Sequence, residues 1–193
     1  MTQKLVIGIV SLTLIFVLTA WEGGKSNDST DNKKLDMGSK PASSVTKEHM
    51  EHSSSGEVPD GLKVAEHPTY KIGDKVILKT DHMNGMKDAE ATISRAFYTT
   101  AYVVTYTPTT GGPKVENHKW VIQEEIKDAG KKTLKPGTEV TLEADHMKGM
   151  KGASAEIVSS EKTTVYMVDY TPTTGGPVVK NHKWVTEDEV TAK

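Results

Sequence analysis

The sequence predicts an all-β protein in which two tandem small barrels follow a signal segment and a disordered tether. Three observations predict it. A stretch near the middle of the chain recurs 64 residues later. Within each copy, apolar residues alternate with polar ones, as on a half-buried strand. Clusters of Pro and Gly break those alternating runs, and these residues favour turns over sheet ladders.

The repeat aligns Lys71–Asp128 with Lys135–Ala192 without a gap, and about half of the aligned positions are identical. Asp81-His82-Met83-Asn84-Gly85-Met86-Lys87 matches Asp145-His146-Met147-Lys148-Gly149-Met150-Lys151. Thr107 to Pro113 recurs unchanged as Thr171 to Pro177, and Asn117-His118-Lys119-Trp120-Val121 as Asn181 to Val185. Two copies are too few for a solenoid, so tandem globular modules are expected. Modules of about 60 residues are marginal but can fold alone. The expected boundaries are a signal segment at 1–21, a tether at 22–59, a first module at 60–129 and a second at 130–193.

The copies also compare positions within one chain. Val76 and Leu78 pair with Val140 and Leu142, whereas Ile77 and Lys79 between and beside them change to Thr141 and Glu143. Only one alternating face stays apolar, which marks a strand. Ala89, Ala91 and Ile93 predict a second strand, and Tyr102, Val104 and Tyr106 a third. Trp120-Val121 begins a short last strand, and Gln123-Glu124-Glu125-Ile126 a brief helical turn. The opening Tyr70-Lys71-Ile72-Gly73-Asp74-Lys75-Val76 looks like the start of an SH3-like barrel, so each module is expected to be one.

Met1–Lys4 is short and positive, and Leu5–Ala20 is almost wholly apolar, the pattern of a secretory signal. The run is shorter than the ~20 residues a spanning helix needs. It ends Leu18-Thr19-Ala20-Trp21, which resembles a lipobox with Trp21 at the position of the lipid-bearing Cys. The chain is therefore expected to be exported and either held at the outer face of the cell membrane or secreted. The tether is rich in Ser, Asp, Lys and Gly and has no apolar periodicity, as disordered segments do. It contains His49-Met50-Glu51-His52, either a metal-capture arm or a solvated linker that happens to hold histidines.

Composition narrows the function. Of the 193 residues 35% are hydrophobic, so the cores are modest, and none is Cys. Without Cys there is no disulfide, thiol nucleophile or thiolate site. A formal net charge of -2 gives no basic face for nucleic acid. No nucleophile elbow, phosphate loop or His-Glu-x-x-His pattern is present, so an enzyme is not expected. Paired carboxylates such as Asp188 and Glu189 fall on an acidic end that reads as solvated.

The remaining chemistry lies in Asp-His-Met-x-Gly-Met. A loop there can turn His82, Met83 and Met86, or His146, Met147 and Met150, toward one point, with Gly85 and Gly149 allowing the tight backbone. Thioethers suit Cu(I), and imidazole suits several transition metals. His118 and His182 are further candidate ligands. The competing reading is packing, since Met fills irregular core gaps and the histidines can be structural.

The tandem His-Met-x-Gly-Met, Thr-Pro-Thr-x-Gly-Gly and Asn-His-Lys-Trp-Val blocks resemble the YdhK family of Gram-positive lipoproteins, which includes CopL-like copper-resistance lipoproteins. The resemblance runs from the signal to the C-terminus and departs at Trp21. It implies an extracytoplasmic copper-binding role, and with the thioether preference for Cu(I) the expected function is Cu(I) binding and sequestration, with His49, Met50, His52 and the histidines and methionines of the two repeats as the candidate ligands. The rival function is a non-enzymatic surface module for cell-wall or protein ligands, with Tyr102, Tyr106, Tyr166 and Tyr170 lining its groove. A passive spacer is a third reading, and a monomer is expected in each case.

Overall fold

The computed structural model describes residues 55–193, all belonging to one compact unit. The signal segment, most of the tether and His49, Met50 and His52 lie outside the described residues. The strands are β1 (Lys75–Leu78), β2 (Glu90–Tyr106), β3 (Val115–Ile122), β4 (Glu139–Thr141), β5 (Ser154–Tyr170), β6 (Val179–Thr186) and β7 (Val190–Ala192). Short 3-10 turns at Gln123–Glu125 and Glu187–Glu189 follow β3 and β6. The expected all-β class and tandem repeat are both present.

The expected second and third strands of each repeat are one long strand. In β2, the runs Ala91–Ile93 and Tyr102–Tyr106 are joined through Ala96, Phe97 and Ala101, which are themselves buried. β2 and β5 are both 17 residues long and pair antiparallel along nearly their whole length, from Ala91–Tyr170 to Tyr106–Ala155. Ser94 and Val158 are bulged out of this ladder. They are equivalent positions of the two repeats, as are Thr99 and Thr163, which face each other at its centre. The ladder is therefore a pseudo-two-fold.

The repeats do not fold as two separate barrels. Their strands join one seven-stranded sheet in the order β4-β5-β2-β1-β7, with β3 on β2 and β6 on β5, and the sheet is not closed. β1 pairs with β2 of its own repeat and with β7 of the other. The hydrophobic effect drives the same exchange inside. One core combines Val76, Leu78, Met86 and Ile93 of repeat 1 with Tyr166, Val168, Val185 and Val190 of repeat 2. The second combines Tyr102, Val104, Val121 and Ile126 with Leu142, Met150, Ala153 and Ile157. A third joins Phe97, Ala101, Trp120 and Ile122 to Val165, Met167 and Trp184. The boundary expected at 129/130 thus separates repeats in sequence and not units of packing.

One segment breaks the symmetry. Residues 58–65 run as a strap against the middle of β2. Val58 and Leu62 pack on the third core, and Val64 bridges Phe97. Ala65 N–H donates to Ala96 O at 3.1 Å and Tyr98 N–H to Lys63 O at 2.9 Å. The matching stretch of the second repeat is 122–129, in which Lys127, the counterpart of Lys63, donates its N–H to Thr141 O instead.

Candidate functional site

Each His-Met-x-Gly-Met loop is clamped by the other repeat. Gly85 and Gly149 adopt φ of 80° and 78°, a region that side chains other than Gly rarely enter. A Cβ on Gly85 would lie 2.5 Å from Thr174 Oγ1, and one on Gly149 2.6 Å from Thr110 Oγ1. Thr173 N–H donates to Gly85 O and Thr109 N–H to Gly149 O, both at 2.9 Å. The His-Met-x-Gly-Met loop and the Thr-Pro-Thr-Thr-Gly-Gly-Pro loop of the repeat are thus each other's docking partners, crossed between copies.

A second clamp positions the other histidines. Asn117 and Asn181 take φ of 52° and 51°, a conformation Asn tolerates better than most residues. Thr105 Oγ1 accepts from Asn117 N–H at 3.1 Å, and Asp169 Oδ1 from Asn181 N–H at 2.8 Å. The next residues, His118 and His182, stack edge-on against Tyr106 and Tyr170, with ring centroids 5.8 and 5.7 Å apart.

The two clamps bring the histidines together in crossed pairs. His82 of repeat 1 lies 6.5 Å, centroid to centroid, from His182 of repeat 2. His146 of repeat 2 lies 6.3 Å from His118 of repeat 1. Met83 and Met147, half-buried, pack at the margins of the first and second cores. Met86 and Met150 are fully buried within those cores and take the packing role.

Each pair has a carboxylate beneath it. His146 Nε2 is 2.7 Å from Glu125 Oε1, and His82 Nε2 is 2.8 Å from Glu189 Oε1. Glu125 Oε2 accepts from Trp184 Nε1–H at 3.0 Å and Ile122 N–H at 3.2 Å. Glu189 Oε2 accepts from Trp120 Nε1–H at 2.7 Å and Thr186 N–H at 3.1 Å. Burial pushes the Glu189 carboxyl up, but the hydrogen bonds with His82, the Trp120 indole and the Thr186 N–H outweigh it and hold it below the usual range.

A carboxylate can only accept, so in the neutral imidazole it selects the Nε2–H tautomer and leaves a lone pair on Nδ1. Nδ1 of His82 and of His146 is buried and has no hydrogen-bond partner. A buried acceptor in that state calls for an explanation such as a bound ion. Carboxylate–histidine–metal arrangements orient the ligand in this way. Among the described residues, no three His, Asp or Glu side chains group as an oxygen- and nitrogen-rich metal site. What each site gathers is two imidazoles, with a methionine next to one of them in the chain.

Glu125, Glu189, Trp120 and Trp184 were not among the candidate ligands the sequence offered. Asp188 is exposed as expected of a solvated end, but its neighbour Glu189 turns inward. The available signal was identity. Glu125 and Glu189 match between the copies, whereas Gln123 and Glu124 become Glu187 and Asp188.

A family model described as "Protein of unknown function (DUF1541)" matches residues 72–123 and 136–187. An uncharacterized protein of Bacillus subtilis strain 168, YdhK, is 61% identical over 192 residues, covering 99% of this chain and 90% of the relative. A crystal structure of a DUF1541 family protein, ydhK, from Bacillus subtilis strain 168 is 68% identical, with a TM-score of 0.73, and covers 76% of this chain and 99% of that one. A solution NMR structure of the ydhK C-terminal domain from B. subtilis is 72% identical, with a TM-score of 0.61, over 64% of this chain and 93% of that one. That share exceeds either repeat, in keeping with a folded unit that needs both.

Proposed function

The chain belongs to the DUF1541 family, and we propose that it binds and sequesters copper, as Cu(I), on the outer side of the cell membrane. The observation that carries this reading is the buried, unpartnered Nδ1 of His82 and His146, each with its Nε2 held by a buried carboxylate. His182 and His118 offer the second imidazole, and Met83 and Met147 are the thioethers nearest in the chain. Two imidazoles and a thioether suit Cu(I), whereas Zn(II) usually takes four N, O or S(thiolate) ligands. Binding would hold the loop of one repeat to the histidine of the other. The signal-like start supplies the extracytoplasmic part of the reading.

The rival surface module loses its groove. Tyr102, Tyr106, Tyr166 and Tyr170 are all buried, at no more than 3% exposure, and offer no aromatic face to a glycan or peptide.

Anaerobic Cu(I) titration of the full chain against a competing chelator tests the reading. The expected result is one cation per site, the loss of one upon His82→Ala and of the other upon His146→Ala, and weaker Zn(II) binding. Zn(II) binding as tight as Cu(I), or an unchanged Cu(I) count in both variants, overturns it.

A further inference from the structure

We infer that the two sites load unequally, the His146 site filling before the His82 site because its mouth carries the larger excess of carboxylates over ammonium groups. The inference rests on the Cu(I) reading and adds an order of filling to it. A cavity of about 530 Å³ opens at the His146 side, and among its walls are Glu57, Asp60, Glu124, Glu125, Glu143 and Asp145. Two ammonium groups, Lys151 and Lys183, face these six carboxylates. Glu125 joins the cavity to the site, since its Oε1 bonds His146, whose side chain is only 2% exposed and whose Nδ1 has no partner.

The equivalent positions around His82 carry a different charge. Glu124, Glu125 and Asp145 become Asp188, Glu189 and Asp81, but Glu143 becomes Lys79. The two positions are structurally the same, because Glu143 N–H donates to Glu125 O and Lys79 N–H to Glu189 O, both at 2.8 Å. Lys87 and Lys119 replace Lys151 and Lys183, and Glu161, where repeat 1 has Phe97, interacts with Asp188, Glu189 and Lys119, so four carboxylates face three ammonium groups. Lys119 Nζ also lies 3.8 Å from Glu189 Oε1, already placing a cation at that carboxylate. Asp60 lies in the strap and Glu57 just before it, and neither has a counterpart at the other mouth.

A cleft lined by one sign of charge raises the local concentration and on-rate of the opposite ion by about 10–1000-fold at low ionic strength. The effect fades with salt, because the screening length falls to ~3 Å at 1 M. The lining therefore discriminates between two otherwise matched sites without touching their ligands.

The test uses the full chain and Ag(I), a redox-stable cation of the same charge and softness as Cu(I), in nitrate salts. The indole N–H of Trp184 and that of Trp120 bond Glu125 and Glu189, so their NMR cross-peaks report the two sites separately. With less than one Ag(I) per chain at low salt, the Trp184 peak should respond first, with a preference of at least several-fold. That preference should shrink toward equality at ~1 M sodium nitrate and in Glu57→Gln/Asp60→Asn/Glu143→Lys. Simultaneous or reversed filling, or a preference indifferent to both salt and the triple substitution, overturns the inference alone. No response of either indole to excess Ag(I) overturns the metal reading together with it.

Discussion

β2 and β5 are the same strand written twice, yet their middles are buried differently. In β2, Ala96, Phe97, Thr99, Thr100 and Ala101 are all buried, whereas in β5 Ser160, Glu161, Thr163 and Thr164 are half-exposed and Lys162 is exposed. The cause is the strap, which covers the first strand and not the second. The substitutions follow the cover. Ala96-Phe97-Tyr98 beneath the strap becomes Ser160-Glu161-Lys162 where there is none. Thr99 and Thr100 at the centre of the ladder stay identical as Thr163 and Thr164, whereas the three positions beside the strap diverge.

The most severe way to break the comparison is to separate the copies. Fragments 60–129 and 130–193 each carry half of both main cores, so neither should give a dispersed amide spectrum as a monomer, and mixing them should restore one. A dispersed spectrum from a fragment that sediments as a monomer would show that a repeat is self-sufficient. Next in size are the core thioethers. Met86→Ala and Met150→Ala should each cost about 2–5 kcal/mol in urea unfolding, as large-to-small core changes do. Met83→Ala and Met147→Ala, at half-buried positions, should cost less in the apo protein and act mainly on metal affinity. Equal losses at all four positions would erase the distinction between plug and ligand.

The strap offers a one-sided perturbation. Replacing Leu62 by Asp should speed amide exchange at Tyr98 and Ala65, whose N–H groups bond across the strap. Amides of the β5 middle should keep their protection. Faster exchange in both strand middles would mean that the strap supports the whole ladder.

Titration sharpens the comparison at two scales. Burial raises the hydroxyls of Tyr102, Tyr106 and Tyr170, and pushes that of Tyr166 up to about 12. A raised folded value means that the folded state holds its protons more tightly. The contribution is complete below the unfolded value near 10 and is lost as pH rises toward 12 for Tyr166. Alkaline unfolding should therefore coincide with tyrosinate absorbance, and early titration of all four without unfolding would contradict it. The acid side carries a smaller, asymmetric effect. Burial raises the Asp169 carboxyl, but Lys180 and the Asn181 N–H outweigh it and lower it below 3.8. Its contribution is present above that value and is lost as pH falls below it. Thr105 stands in its place in repeat 1 and cannot titrate there. Asp169→Thr should flatten the acid limb slightly, and an unchanged limb would assign it elsewhere.

Much of this architecture was legible in the residues. The faces of Val76 and Leu78, of Ala91 and Ile93, and of Tyr102, Val104 and Tyr106 are buried as their alternation required. The recurring histidines meet in pairs, but across the two repeats and not within one module as expected. What could not be read was which copy each element serves. A gap-free repeat has the same local pattern whether its strands pair within a copy or across copies, so the exchange between β2 and β5 leaves no mark on periodicity. The same ambiguity hid Glu125 and Glu189, whose partners lie in the opposite repeat and whose acidic neighbours made them look solvated.

Thr99 facing Thr163 has a consequence for how such a molecule can change over time. Two identical, unlinked chains meeting at that point would form a symmetric pair, and every substitution would appear at both ends at once. Joining the copies in one gene releases that constraint. One end can acquire Glu143 while the other keeps Lys79, and a single leading segment can cover one side alone. Covalent fusion thus turns a duplicated sequence into a place where two descendants of the same pocket can specialise without losing the scaffold that each supplies to the other.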